Sequence, residues 1–312
     1  MGRSAIKSAG TLLAALALLC FACYAGAQAV PASPVERLVA MEELLFGLPQ
    51  EGAIVTRLQN IESLMFGQAG AGTLPERLDR CWNFVQGDRV GGMNLKFKMK
   101  AVQWTIFGEV ADGPIVPTLV DLENAVIGQP GLGPIGPRLD ILMRLSVVGG
   151  EPEAAYSLVP KGSLVRVKLC TALGSMKARS GDVVRFEVAD DVVFEDRLVL
   201  PKGTPVTAWV IDTVRPTKMG IRARVDLELK PVEAIDSSPV VLGVEPTTIA
   251  ANSSVSLAAG EGIRALGIVG KEGVLGGLLS QNPELDLAEG VELFLSVMQT
   301  AKVLGLPVPK AK

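Results

Sequence analysis

Residues 33–52 read Ser-Pro-Val-Glu-Arg-Leu-Val-Ala-Met-Glu-Glu-Leu-Leu-Phe-Gly-Leu-Pro-Gln-Glu-Gly, and residues 53–72 restate them as Ala-Ile-Val-Thr-Arg-Leu-Gln-Asn-Ile-Glu-Ser-Leu-Met-Phe-Gly-Gln-Ala-Gly-Ala-Gly. The shared plan continues along the chain. Gly47, Gly67, Gly87, Gly108 and Gly128 are each followed five residues later by another glycine: Gly52, Gly72, Gly92, Gly113 and Gly133. A basic or polar residue follows at Arg37, Arg57, Arg77, Lys98, Thr118 and Arg138, a period of 20 with one extra residue before Lys98. A fixed period of this kind marks a stacked array in which no single repeat buries its own apolar face.

Within each repeat the apolar spacing is helical. Leu38, Met41 and Leu45 match Leu58, Ile61 and Met65, and then Leu78, Cys81 and Val85. Met99, Val102 and Ile106 continue the series, as do Leu119, Leu122 and Val126. Offsets of three and seven place these side chains on one helical stripe. Ser33 with Glu36 and Thr73 with Glu76 fit capping boxes, Pro34 fits the first helical position, and the first glycine of each pair fits a left-handed stop. Six helices of about three turns are therefore expected. In this register Cys81 is a core thiol. Glu42, Glu62 and Glu123 fall off the stripe, so replacing Glu62 is expected to cost much less than placing a charge at Leu58 or Leu119. Trp82 stands where those glutamates stand, and either contacts the second domain or fills a second packing face. Trp104 departs from the pattern as well.

After Gly149-Gly150-Glu151-Pro152-Glu153 the period changes to two. Val165, Val167 and Leu169 alternate with charges, as do Val184, Phe186 and Val188. Residues 221–230 put Ile, Ala, Val, Leu and Leu on one face, and Val291, Leu293, Leu295 and Val297 close the series. These are strands dry on one side. The fold class is thus α + β in separate domains: a six-helix repeat array, then an antiparallel β-barrel or sandwich. The expected divisions are a leader at 1–29, helical repeats at 30–148 and a linker at 149–158. A β-domain at 159–300, with a glycine-rich insertion at 260–280, and a tail at 301–312 complete them.

Three strand entries share a phrase: Val159-Pro160-Lys161-Gly162-Ser163, Leu200-Pro201-Lys202-Gly203-Thr204 and Leu287-Ala288-Glu289-Gly290-Val291. They read as equivalent corners of one β-domain. Two of these corners flank Arg179-Ser180-Gly181-Asp182 and Asp190-Asp191-Val192-Val193, and residues 157–245 then resemble the C-terminal β-barrel domain of the channel-scaffold subunit of conjugative type IV secretion systems. That resemblance implies a barrel fold and an envelope setting. The chain departs from the family in having a leader and helical repeats in place of its membrane anchor and proline-rich stretch.

Composition narrows the chemistry. Arg3 and Lys7, the apolar run 12–24 and Ala25-Gly26-Ala27-Gln28-Ala29 form the three parts of a secretory signal. The run is too short for a bilayer core, which needs about 20 residues. Export to the periplasm, cell envelope or exterior is expected, with no transmembrane span in the mature chain. The whole chain has 30 basic and 33 acidic residues, and removing the two leader cations makes it more acidic still, so a nucleic-acid footprint is not expected. The 312 residues contain no histidine, which removes the commonest general base and metal ligand. No cofactor or metal site is expected. The carboxylates Asp190, Asp191, Glu195 and Asp196 read as a solvated hairpin rather than a calcium loop. Ser175 and Lys177 lack the S-x-x-K spacing, and the prolines of 131–137 argue against a phosphate loop.

The expectation for function is a non-enzymatic envelope protein that offers surfaces for assembly with other envelope proteins or with itself. The alternative is a carboxylate-dependent cell-wall or polysaccharide hydrolase, marked by two facing carboxyl groups within about 10 Å. The candidate contact residues are Trp82 and the apolar members of the glycine-rich segment: Ile263, Leu266, Val269, Val274, Leu275 and Leu278. In the resembled family a membrane-inserting helical pair lies at a comparable place. Here the segment is shorter and carries Lys271 and Glu272.

Overall fold

The computed structural model describes residues 33–87, 93–215, 223–245, 247–248, 251–252, 266–267, 277–279 and 286–308. The expected leader lies outside them. Six helices come first: α1 (Pro34–Phe46), α2 (Ile54–Phe66), α3 (Leu74–Gln86), α4 (Leu95–Phe107), α5 (Ile115–Val126) and α6 (Ile135–Ser146). Their ends follow the sequence signals. Ser33 and Glu36 close a reciprocal capping box, and the Thr73 N–H donates to Glu76. Gly47 and Gly67 take left-handed conformations, and their N–H groups return to Glu43 and Ser63. The expected stripe is the core: Leu38, Met41, Leu58, Ile61, Leu78, Cys81, Val102, Leu119 and Leu122 are all buried.

The helices are grouped in threes. α1 packs on α2 and α3, and α4 packs on α5 and α6. Arg37 with Asp79 joins the first helix to the third in one group, and Lys98 with Asp140 does so in the other, each pair spanning 42 residues. The groups meet where α1 lies on α5, α2 on α6 and α3 on α4. None of the described helices is long and apolar enough to cross a membrane.

The β-region is antiparallel throughout. Its largest sheet orders Leu242–Gly243 (β11), Glu292–Val297 (β15), Leu164–Leu169 (β2), Val183–Val188 (β4), Pro205–Val214 (β7), Arg224–Leu229 (β8), Gly277–Leu279 (β13) and Leu266–Gly267 (β12). With a four-stranded sheet of Ala155–Val159 (β1), Ala301–Pro307 (β16), Arg197–Leu200 (β6) and Val192–Phe194 (β5) it makes a nearly closed barrel. Short pairs Leu173–Gly174 (β3) with Asp286–Leu287 (β14), and Val232–Glu233 (β9) with Pro239–Val240 (β10), complete it.

The corners are alike in detail. In all three phrases the glycine has positive φ, and the next N–H returns to the residue two before the glycine: Ser163 to Pro160, Thr204 to Pro201 and Val291 to Ala288. Each glycine N–H also donates 2.8 Å to a neighbouring strand, at Val297, Val188 and Leu169 respectively. Gly181 in Arg179-Ser180-Gly181-Asp182 makes a fourth such corner, on Val210.

Two segments differ from the sequence expectation. Ala155–Val159, which begins within the expected linker, and Ala301–Pro307, inside the expected tail, are strands that pair with each other. β16 gives no period-two signal because Val303, Leu304, Gly305 and Leu306 are buried in succession. A Cβ at Gly305 would stand 2.8 Å from Arg197 Cβ and 2.9 Å from the Leu198 carbonyl, so the close approach of β6 requires glycine.

The helical and β regions share one element. α4 turns Leu95, Met99 and Val102 into the helical core, and buries Phe97 and Ala101 in the core of the β-region. Trp104 packs against the same β core, and its indole N–H donates to the Pro307 carbonyl at 3.2 Å. Lys96 pairs with Glu233 at 2.8 Å. A helix apolar on both sides is one buried on both sides.

Candidate interaction site

The glutamates set off the stripe are not solvent-facing: Glu42 and Glu62 are fully buried and Glu123 is 1% exposed. This corrects the expectation that they face away from the core and that replacing Glu62 costs little. Each accepts a two-pronged contact from the arginine fifteen residues on, in the next helix. Arg57 donates to Glu42 at 2.8 and 2.5 Å, and Arg138 to Glu123 at 2.7 and 2.6 Å. Arg77 reaches Glu62 through Nη2 at 2.6 Å, and Arg80 adds a contact at 3.2 Å. The same carboxylates accept the backbone N–H eight residues on, from Gln50, Gly70 and Gly131. Each clasp therefore ties a helix, the following loop and the next helix into one joint. A Cβ at Gly131 would stand 2.5 Å from Glu123 Oε1, so the loop comes too close for a side chain.

Electrostatics follow from this enclosure. The Arg77 guanidinium, aided by the Gly70 N–H, holds the Glu62 carboxyl below the usual carboxylate range against the cost of burial. Burial pushes Glu123 upward, and Arg138 with the Gly131 N–H outweighs it, leaving that carboxyl lowered too. Glu42 raises Arg57, and Glu62 raises Arg77.

The joint between α3 and α4 is built differently. Every helix has a repeat position four residues after its N-cap, where an N–H returns to the cap carbonyl: Arg37, Arg57, Arg77, Lys98, Thr118 and Arg138. At the α4–α5 joint Gln103 stands in the acid's place and Thr118 in the base's, both neutral, and the Gln103 amide donates to the Ala111 carbonyl, again eight residues on. At the α3–α4 joint the base remains as Lys98, but Trp82 stands in the glutamate's place. A shallow depression of about 290 Å³ opens there, lined among others by Asn83, Phe84, Leu95, Lys98, Leu139 and Asp140. Lys98 Nζ lies 3.4 Å from Asp140, and both side chains are substantially exposed. The Lys98–Asp140 pair and the apolar side chains of Phe84, Leu95 and Leu139 line it together. Its residues were not picked out from sequence, although the substituted tryptophan and the extra residue before Lys98 both mark the joint.

The sequence-selected residues separate. Trp82 is half-buried and packs against the helical core. Ile263, Val269, Val274 and Leu275 lie outside the described residues. Leu266 and Leu278 are described only in backbone, where they pair with each other and the strand carrying Leu278 pairs with β8. Cys81 is buried and free, and desolvation pushes its thiol up to about 12, which suits a core residue. Cys170 is also free. Ser175 is buried while Lys177 is exposed. Glu195 and Asp196 make the tight turn between β5 and β6 with positive φ, while Asp190 pairs with Arg166 and Asp191 accepts the Lys202 N–H.

No protein-family model matches the chain, and no curated protein matches it. Among solved structures it is similar to ComB10 of the Com type IV secretion system of Helicobacter pylori. The TM-score is 0.24 and the identity 12%, over 49% of this chain and 92% of that one. At that score the likeness carries no functional argument.

Proposed function

We propose that this protein is a non-enzymatic, exported scaffold of the cell envelope, whose helical array and β-barrel present surfaces to protein partners. The observation that carries the reading is α4, a single helix that is core to both regions. Three buried clasps stiffen the array to which it belongs. The three buried clasp carboxylates are each committed to an arginine, a use that serves fixed geometry rather than proton transfer. The leader-like residues 1–29 and the motif resemblance of residues 157–245 support the envelope setting. In this reading the leader ends near Val30, residues 30–148 form the array, and residues beyond 155 the barrel.

Mass spectrometry of the native protein should find its N-terminus near Gln28 or Val30, and a chain beginning at Met1 in the envelope fraction would overturn the export assignment. Cross-linking in native envelopes should give discrete partner bands or self-adducts identifiable by mass. A protein recovered only as an uncross-linked monomer would sink the scaffold role.

A further inference from the structure

The two three-helix groups repeat each other 61 residues apart, with Arg37 answered by Lys98 and Asp79 by Asp140. In the contact between them, the ends of α1 and α2 meet the starts of α5 and α6. A Cβ at Gly47 would stand 2.8 Å from Pro114 Cγ, and one at Gly67 would stand 3.0 Å from Pro134 Cγ. Beside those glycines, Phe46, Phe66 and Phe84 pack against the helical core. On the facing side Ile115 and Ile135 are buried, and Val116 packs against the same core.

Each half of this contact exists a second time, uncovered. At the end of the second group Phe107, Ile127 and Leu145 hold the places of the three phenylalanines, and they are 54%, 42% and 63% exposed. Gly108 and Gly128 hold the places of Gly47 and Gly67, and a Cβ on either would meet nothing within 4 Å among the described residues. At the start of the first group Ala53 and Thr73 hold the places of Pro114 and Pro134, and both are exposed. Val55, the counterpart of Val116, is 53% exposed, and Ile54 and Leu74 are only half-buried. Terminal repeats of an array ordinarily turn a polar face outward. These two ends stay apolar.

We propose that a second copy of this chain covers these faces, stacked head to tail, with the starts of its α2 and α3 on the ends of α4 and α5. The internal contact identifies the occupant, because the chain itself carries the half that fits and already makes the fit once between its own groups. Closing the contact takes Phe107 and Leu145 out of water against Val55 and Leu74. Ala53 and Thr73 lack the proline rings, so the contact between copies is weaker than the internal one. The two faces differ, so the interface is heterologous, and copies join into a ring or an open chain rather than a two-fold dimer.

The inference rests on the scaffold reading and names a second copy as one of its partners. Sedimentation of the mature protein up to about 1 mM, the weak end of protein association, should show a mass that rises with concentration. Val55→Asp spoils the start face, and Phe107→Asp with Leu145→Asp spoils the end face. Each variant should associate about tenfold more weakly or worse, since a charge enters an apolar contact. The three side chains are exposed in a single copy, so both variants should melt with the wild type when dilute. An equimolar mixture of the two should form a one-to-one pair and nothing larger, because one intact face of each kind remains. A monomeric wild type, association unchanged in either variant, or a mixture no heavier than its components would each overturn the proposal. A monomeric wild type that still cross-links to other envelope proteins would reject the head-to-tail contact and leave the scaffold reading standing.

Discussion

Leu58 and Glu62 sit one turn apart on α2, both fully buried, and they bury for different reasons. Leu58→Asp puts an unpaired charge into the apolar stripe and should cost several kcal/mol. Glu62→Ala should cost about 3–5 kcal/mol, because Arg77 stays buried without its acid and the Gly70 N–H loses its acceptor. Glu36→Ala, which removes the acceptor of the Ser33 N–H at an exposed cap, should cost about 1 kcal/mol. Urea unfolding of the three variants checks the order, and a Glu62 variant as mild as the cap variant would refute the clasp. Acidity tests the same joint. The folded Glu62 and Glu123 carboxyls lie below their ordinary range, so the unfolded chain takes up protons first as pH falls. Their stabilisation is present above the ordinary carboxylate pKa of about 4.3 and is lost progressively below it. Melting temperature should therefore drop between about pH 5 and pH 3, and the drop should be smaller in Glu62→Gln. The repeated glutamate was visible in sequence, but its helical offset placed it off the stripe. Its partner lies fifteen residues away across a loop, and no local period reports such a pair.

At the scale of elements, the six helices were legible because each carries the buried stripe and the first five run into a glycine. α4 was only half legible. Met99 and Val102 follow the stripe, while Phe97, Ala101 and Trp104 serve a surface that the repeat does not contain. Phe97→Ala should cost about 3–5 kcal/mol, as for other large aromatic truncations in cores. Trp104→Phe should cost about 1 kcal/mol, through loss of the N–H bond to Pro307. Hydrogen exchange should quicken in Phe97→Ala both in α5 and α6 and in β6 and β16. Quickening confined to the helices would mean that α4 belongs to one core only. The strands read by alternation are those with one wet face, such as β2 and β4. β1 and β16 escaped because the first exposes Tyr156 and Leu158 while burying Ser157, and the second buries Val303 to Leu306 in succession.

For the whole molecule, α4 decides whether the two regions unfold together. A helix that merely touched the barrel would let the array melt separately, as joined regions with small polar interfaces do. Here the barrel core includes two side chains of that helix, fully or almost fully buried, so unfolding either region exposes apolar surface of the other. The three tryptophans permit a direct test. Trp82 reports on the array, and Trp209, stacked 4.0 Å under Lys230 on the outer face of β7, reports on the barrel. Two proteins, each retaining one of these with the other tryptophans replaced by phenylalanine, should share one urea midpoint after correction for the substitutions. Adding Phe97→Ala to both should lower the two midpoints together, because the side chain removed is common to both folding units. A midpoint that falls for Trp82 alone would leave the barrel independent of α4, and would remove the observation on which the scaffold reading stands.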